Sequence, residues 1–437
     1  MKYIFMLIVV IFFTACSTKE TGVKTSANTK VYDLLQIPQD VTYFSKNIEK
    51  KVPLYEAQVN YNRKYFSMWN VEKPKETLIS IKWPFAAFRA GNTYGENMQP
   101  LEQSFFDEML NNASFENYAT LNTKALTLKD VNLRVFPTNR PLLKDPSLAG
   151  EGFPFDYLQN STIHANEPIL VSHYSKDKEW AYVFSNFASG WIKSNQFAIL
   201  EKERIEAWQN SRQIAIIKEG EPIYDDEGNF LFKSKVGMIF ALIKEDEAAF
   251  TVLTVSACHT KPIYHNSKIS KNIATKEVLK LDENNLNSII NEISKTNYGW
   301  GGMYEQRDCS SMLRDMFAPF GIWLPRNSLQ QSKVGKVISL NNLSDEEKIG
   351  IIKEKAVPFQ TILYKKGHVV LYVGTYNDEV IVFHNTWGIK TKKDGIEGRV
   401  IIGKAVFSSL NLGKNTENFD EESTMLKNLI SMNIITQ

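Results

Sequence analysis

The sequence predicts an α+β protein of several domains, and three observations carry that prediction. The chain has 437 residues, enough for roughly three domains of ~150 residues each. Short β-type runs separated by turn residues fill its middle, from about Ala119 to Ile263. Helical periodicity brackets that region on both sides. Apolar residues make up 43% of the chain and charged residues 23%, so sizeable cores can be buried. A net charge of +2 argues against a nucleic-acid partner and against an electrostatic membrane patch. Lysine-rich stretches such as "KTKKDG" near Lys390 read as solvated turns.

The first stretch, "MKYIFMLIVVIFFTAC", stands outside this pattern. Lys2 precedes an apolar run that ends at Phe13, too short to span a bilayer comfortably and laid out like a secretory signal over residues 1–15. Thr14 and Ala15 before Cys16 resemble a bacterial lipobox, with Phe13 where leucine is usual; Cys16 is then the lipidated first residue. Residues 16–30 form a polar tether. The expected location is the bacterial cell envelope, lipid-anchored to a membrane and facing the periplasm in a Gram-negative cell.

Residues 31–118 mix aromatic, helical and irregular signals, with one amphipathic helix in "PLEQSFFDEMLNNA" and no catalytic spacing. Residues 119–200 carry "LTLKDVNLRVFPT", "EPILVSHYS" and "WAYVFSNFASGWIKSNQFAIL", a spacing of short strands that fits a small barrel or sandwich. A second such stretch covers 201–265. In the last domain, 266–437, a helix is expected at "LDENNLNSIINEIS", strands at "GHVVLYVG" and "EVIVFHNTWG", and a terminal helix at "EESTMLKNLISMNIITQ".

Only three cysteines occur, so no disulfide framework is expected, and neither C-x-x-C nor H-E-x-x-H is present to suggest a metal site. Cys258 lies in an apolar strand-like run and reads as structural. Cys309 lies in "YGWGGMYEQRDCSSMLRDMFAPFG". Met312, Leu313, Met316 and Phe317 form the apolar stripe of a short helix stopped by Gly321 and Pro325, and Asp308 stands at its N-cap. Cys309 and Ser310 then occupy the first turn, where the helix dipole favours a thiolate and free N–H groups can face an oxyanion. A merely structural cysteine is expected more often on the Met312–Met316 face.

A thiol nucleophile needs a base. His164, His173, His259 and His265 fall in the β-rich middle and read as structural or exposed. "HVVLYVGTYNDEVIVFH" reads as a hairpin. A register centred on Tyr376 puts His368 directly opposite His384, with Cβ atoms about 5 Å apart; a two-residue turn at Asn377-Asp378 would break that pairing. The assignment is Cys309 as nucleophile, His368 as general base and His384 as its orienting group. Spacing alone leaves open the plain alternative, in which all three are core residues.

"YGWGGMYEQRDCSS", "LPRNSLQQ", "GHVVLYVG" and "HNTWG", in that order, resemble the NlpC-type cell-wall cysteine peptidases, with the motifs spread over about Leu281 to Leu412. The upstream segments resemble the lysin-type subset: an N-terminal clip domain, then two bacterial SH3-like domains, with "FPFDYLQNS" like the start of the first and "ASGWIKSNQFAIL" like closing strands. The resemblance implies a papain-like peptidase domain after two SH3-like barrels and a mostly helical N-terminal domain. It places Cys309, His368 and His384 at the triad positions and Tyr298 at the oxyanion hole. It puts Asp308, Ser310 and Ser328 where relatives hold the substrate's free amine and D-glutamate carboxylate, and it suggests Asp156 and Trp191 as the acid and aromatic with which the first SH3-like domain closes the cleft. Ser311 stands where glycine is usual.

The implied reaction is hydrolysis of the γ-D-glutamyl–diaminopimelate bond in peptidoglycan stem peptides or muropeptides, preferring a free N-terminal L-Ala, by a monomer without cofactor. Two rivals are a non-catalytic wall-binding lipoprotein and an amidase or acyltransferase on the same scaffold.

Overall fold

A computed structural model describes residues 31–436 except 47 and 51–53. The expected signal peptide, Cys16 and the tether lie outside the described residues, among which no helix is long and apolar enough to cross a membrane.

The expected N-terminal amphipathic helix is α1 (Gln103–Asn112), which buries Phe105, Phe106 and Met109 at helical spacing. An earlier helix, Leu54–Tyr65, runs into Phe66 and Trp69. Their rings wedge between the two β-domains: the Trp69 indole donates to the Ala125 carbonyl at 3.1 Å and the Tyr65 hydroxyl to that of Asn166 at 3.0 Å. The N-terminal domain is thereby packed into the body of the protein.

Strands from Thr123 to Ile199 form a seven-stranded antiparallel sheet curled around Val131, Leu133, Val171, Val183 and Ile192. A second, five-stranded sheet starts at Gln213. It extends past the expected limit at 265: the strand Lys261–Ser270 is long, and Ala274–Thr275 pairs back onto Gln213–Ile216. The Lys/Asn/Ser-rich composition there reads as a linker, but it belongs to an edge strand whose exposed residues alternate with buried ones. Cys258 is also displaced from expectation, since it is free and exposed at the end of its strand.

The last domain packs helices on both faces of one sheet: the helix Asp345–Lys355 covers one face with Ile352, and two others on the opposite face build the site. Helix α2 (Glu283–Ile293) begins at the N-cap Asp282, whose side chain accepts from the Asn285 N–H. Helix α3 (Cys309–Phe317) follows a left-handed turn. The sheet contains β1 (Lys336–Ser339), β2 (Thr361–Lys365), β3 (His368–Tyr376), β4 (Glu379–Lys393), β5 (Ile396–Ser409) and β6 (Ser431–Ile434), in the order β1-β6-β2-β3-β4-β5. Met312, Leu313, Met316 and Phe317 bury fully against Leu286, Ile289 and Ile290 of α2 and Val369, Leu371 and Phe383 of the sheet. Truncating any one of them to alanine should cost about 2–5 kcal/mol.

The expected C-terminal helix is absent. Its place is taken by one 3₁₀ turn, Glu421–Ser423, and by β6. β6 is inserted between β1 and β2 with all four residues buried, so it lacks the alternation that would mark a half-exposed strand.

Helix α3 is also tied to the first β-domain. Asp315 accepts from Arg307 Nε at 2.7 Å and lies 2.9 Å from His164 Nε2, while Arg314 pairs with Glu167 at 2.9 Å. All of these side chains are buried or nearly so.

Candidate active site

Asp308 caps α3 as expected: its carboxylate accepts from the Ser311 N–H at 2.9 Å. Ser311 completes the exchange, its hydroxyl accepting from the Asp308 N–H at 2.9 Å. This reciprocal capping box gives Ser311 a role that a glycine there, which the resemblance leads one to expect, could not fill.

Cys309 opens the helix, with the Val369 and Ser310 N–H groups directed at its sulfur. Its side of the helix does not distinguish it, contrary to expectation: Cys309 continues the Met312–Met316 stripe and joins the same core. What sets it apart is its position at the open end of that stripe, on a cleft. Nor is the resting thiol a thiolate. Burial, then the Asp308 carboxylate, push it up to about 12, and the N–H groups and Arg326 only partly offset them.

The two histidines meet, but not in the expected register. The hairpin turn is Asn377-Asp378, both at positive φ, with Tyr376 opposite Glu379. Continued unbroken, that register would put His368 and His384 on opposite faces of the sheet. A bulge between Tyr372 and Gly374 shifts it by one residue, so that Tyr372 faces Val382 and Leu371 faces Phe383. The histidines then share a face as diagonal neighbours rather than as a direct pair. Gly374, at φ +127°, supplies the backbone conformation this needs.

His368 Nε2 lies 2.8 Å from His384 Nδ1, and His384 Nε2 lies 3.0 Å from Ser408 Oγ, which donates in turn to the Ser409 carbonyl at 3.0 Å. This chain assigns the tautomers. Ser408, having donated, accepts from His384 Nε2–H. His384 Nδ1 therefore accepts from His368 Nε2–H, and Nδ1 of His368 is left unprotonated for the thiol. Ser408 was not singled out from the sequence. Burial, then the Lys365 ammonium opposite His368 in the β2–β3 ladder, lower His368 to about 3; burial and His368 hold His384 well below the usual range. Thiol and imidazole are both neutral at rest.

A cleft of about 830 Å³ opens over Cys309 and is lined by Tyr298, Asp308, Ser310, Arg326 and Ser328. Burial, and then the nearby Cys309 and Asp308, push the Tyr298 phenol well above its ordinary value. Asp308 is not a lone carboxylate: Arg326 donates to it at 2.6 and 3.1 Å and Ser310 at 3.2 Å. Burial opposes its charge, but Arg326 and the Ser311 bonds win and hold it below the carboxylate range.

The structure excludes Asp156 and Trp191 from this cleft. Asp156 is buried and pairs with Arg134 at 2.6 Å; Trp191 is fully buried between the first barrel and the N-terminal domain, in one cluster with Ile81 and Phe115. The first barrel instead presents Gln159, Asn160 and the turn from Phe184 to Ser189. The N-terminal domain adds Met68, Glu76 and Trp83, of which Trp83 is 49% exposed. The available signal for it was the tryptophan in "IKWPF". The glycine pair ahead of Cys309 serves this contact between domains. Gly301 and Gly302 are left-handed, and a Cβ on either would fall 2.5–2.6 Å from Gln159 or Thr162. Among the described residues, no group of three or more His, Cys, Asp or Glu is placed to hold a metal ion.

With the cysteine, its base and its cleft in place, comparison with known proteins decides the family. Residues 295–400 match the NlpC/P60 family. The C-terminal domain is an NlpC/P60 domain. Three further segments match modules that accompany it: the NLPC_P60 N-terminal stabilising domain over 5–118, an SH3 domain of SH3b1 type over 141–193 and one of SH3b2 type over 202–247. No curated protein matches the chain. A solved NlpC/P60 endopeptidase from Photobacterium damselae subsp. piscicida is similar over 92% of this chain and 98% of its own, at 22% identity and a TM-score of 0.80. An NlpC/P60 family protein from Bacillus cereus aligns over 72% of this chain and all of its own, at 15% identity and a TM-score of 0.48. The NlpC/P60 domain here is of the cysteine peptidase type, and with its SH3b modules it points to the cell wall as the partner.

Proposed function

We propose that this protein is an endopeptidase that hydrolyses the γ-D-glutamyl–diaminopimelate bond of peptidoglycan stem peptides. The observation that carries the reading is the chain His368–His384–Ser408, which leaves one imidazole nitrogen free on the residue next to Val369, whose own N–H is directed at the Cys309 sulfur at the helix N-terminus. The thiol gives its proton to His368 as the sulfur attacks the carbonyl. The N–H groups at the start of α3 and the Tyr298 hydroxyl stabilise the oxyanion. His368 then protonates the leaving nitrogen, and water releases the acyl group with His368 again as base.

Arg326, with the Ser310 and Ser328 hydroxyls, suits the D-glutamate carboxylate. The Asp308 carboxylate suits the ammonium of a free N-terminal L-Ala. Because Arg326 already shares that carboxylate, the expected preference for a free over an acetylated amine is about tenfold, the low end for a charge-assisted bond. We further propose a monomer anchored to the envelope through lipidated Cys16.

The test is mass spectrometry of digests of intact wall and of purified muropeptides. A product that ends in L-Ala-D-Glu, free from detached stems and still on the sugar from attached ones, supports the reading. Release of whole stems from sugar supports an amidase, and no product under reducing conditions supports an inert binding protein. Cys309→Ala should abolish cleavage with the melting temperature little changed; unchanged cleavage refutes the mechanism.

A further inference from the structure

A second cavity, of about 400 Å³, lies on the histidine side of the thiol. Tyr298 and Gly367 line both cavities, so the two meet at the reacting centre. The nitrogen expelled from the carbonyl carbon that the Cys309 sulfur attacks must come within hydrogen-bond reach of His368, which protonates it. The residue bearing that nitrogen therefore sits in the cavity that His368 lines. This argument rests on the endopeptidase reading above.

The lining of this cavity has one electrostatic character. It includes Lys365, Lys366, Lys390 and Arg399, and none of its lining residues is an aspartate or glutamate. Lys390 is paired with Glu397 outside it. Lys365 is largely buried, and its only hydrogen bond is a long one, 3.5 Å, to the Ser423 carbonyl; burial accordingly lowers its ammonium from the ordinary range. Two donors there lack partners: Arg399 Nε and the Trp387 indole N–H are both buried without a hydrogen bond, while Arg399 Nη1 makes one long bond, 3.5 Å, to the Glu151 carbonyl. Buried donors are seldom left unsatisfied, and two of them beside a lysine with one long bond, with no acid lining the cavity, make a place for an acceptor that carries negative charge.

We infer that this cavity is a leaving-group subsite for a carboxylate, held by Lys365, Arg399 and Trp387, and that it selects a diamino acid carrying a second carboxylate over one that lacks it. Diaminopimelate bears a carboxylate at the far end of its side chain as well as on its α-carbon; lysine has none at the far end. Phe155 and the Trp387 ring provide apolar wall for the methylene chain between them.

The experiment compares kcat/KM of the full chain on L-Ala-γ-D-Glu-meso-diaminopimelate and L-Ala-γ-D-Glu-L-Lys. Wild type should favour the first by at least about tenfold, the scale of one charge-assisted hydrogen bond. Arg399→Gln and Lys365→Met should bring the ratio towards one, mostly through KM, and Arg399→Lys should restore part of it. Melting temperatures check folding. Equal wild-type rates on the two peptides overturn the subsite while leaving the endopeptidase standing. So does a variant that loses both substrates by the same factor, since that marks a structural role. If wild type cleaves neither peptide, the endopeptidase reading fails and the subsite with it.

Discussion

Two buried histidine sites in this protein have opposite electrostatics. His164 lies between Asp130 at 3.3 Å and Asp315 at 2.9 Å, and His368 lies 2.8 Å from His384. Burial disfavours the imidazolium at both. At His164 the two carboxylates outweigh burial and raise it to about 10. At His368 no carboxylate answers, the Lys365 ammonium adds to burial, and the imidazole is lowered to about 3. The comparison teaches that burial sets the size of what is at stake and neighbours set its sign. The charged site joins helix α3 to the first β-domain. The neutral site is the one proposed as the base, which would gain its proton from the thiol.

The comparison can be broken most sharply at the base. His368→Ala should reduce kcat/KM by about 10²- to 10⁴-fold, the range of a lost general base, with little change in melting temperature. His384→Ala should lose less, because it orients rather than transfers. A greater loss in His384→Ala would exchange the two roles.

Asp315→Asn tests the other site. It leaves Arg307 and His164 short of a buried carboxylate and should destabilise the fold by about 3–5 kcal/mol, read by urea denaturation. Activity per folded molecule should be nearly unchanged. A large fall in kcat with normal stability would show that Asp315 serves the reaction.

The pH dependence of stability should split in the same way. His164 keeps its proton in the folded state up to about 10, against an unfolded value near 6.5, so its contribution is full below pH 6.5 and is lost as pH rises through about 10. His368 is lowered to about 3, so its contribution is present above pH 6.5 and is lost as pH falls towards 3. Urea midpoints from pH 4 to pH 10 should show an alkaline limb that flattens in His164→Gln and an acid limb that flattens in His368→Gln. Reversed assignments would overturn the electrostatic account.

The smallest expected effect is at Ser408. Ser408→Ala removes one acceptor from His384 while the His368–His384 bond remains, and should reduce kcat/KM about two- to tenfold, the scale of a neutral hydrogen bond.

Much of the site is legible in local sequence because its chemistry is local. Asp308 as N-cap, Cys309 in the first turn and the stripe from Met312 to Phe317 follow from helix periodicity and capping, which act over four residues. That the two histidines can pair was also readable, but not how. The register depended on a bulge at Val373, and bulges answer to packing on both sheet faces rather than to the strand's own residues. The C-terminal segment shows the same limit, since strand β6 exists because two neighbours offer it hydrogen bonds.

The sequence by itself determined the domain order and singled out Cys309, His368 and His384 as candidates, because each rests on short-range spacing or on a motif contiguous in the chain. Only the tertiary structure decided which first-barrel residues line the cleft. Asp156 and Trp191 have the right side chains, but Arg134 and the contact with the N-terminal domain claim them, whereas Asn160 and the Phe184–Ser189 turn, unremarkable in sequence, reach it. Protonation was decided there too. A helix N-terminus favours a thiolate, but the burial of Cys309 and the adjacent Asp308 outweigh it, and burial is a property of everything packed around the sulfur.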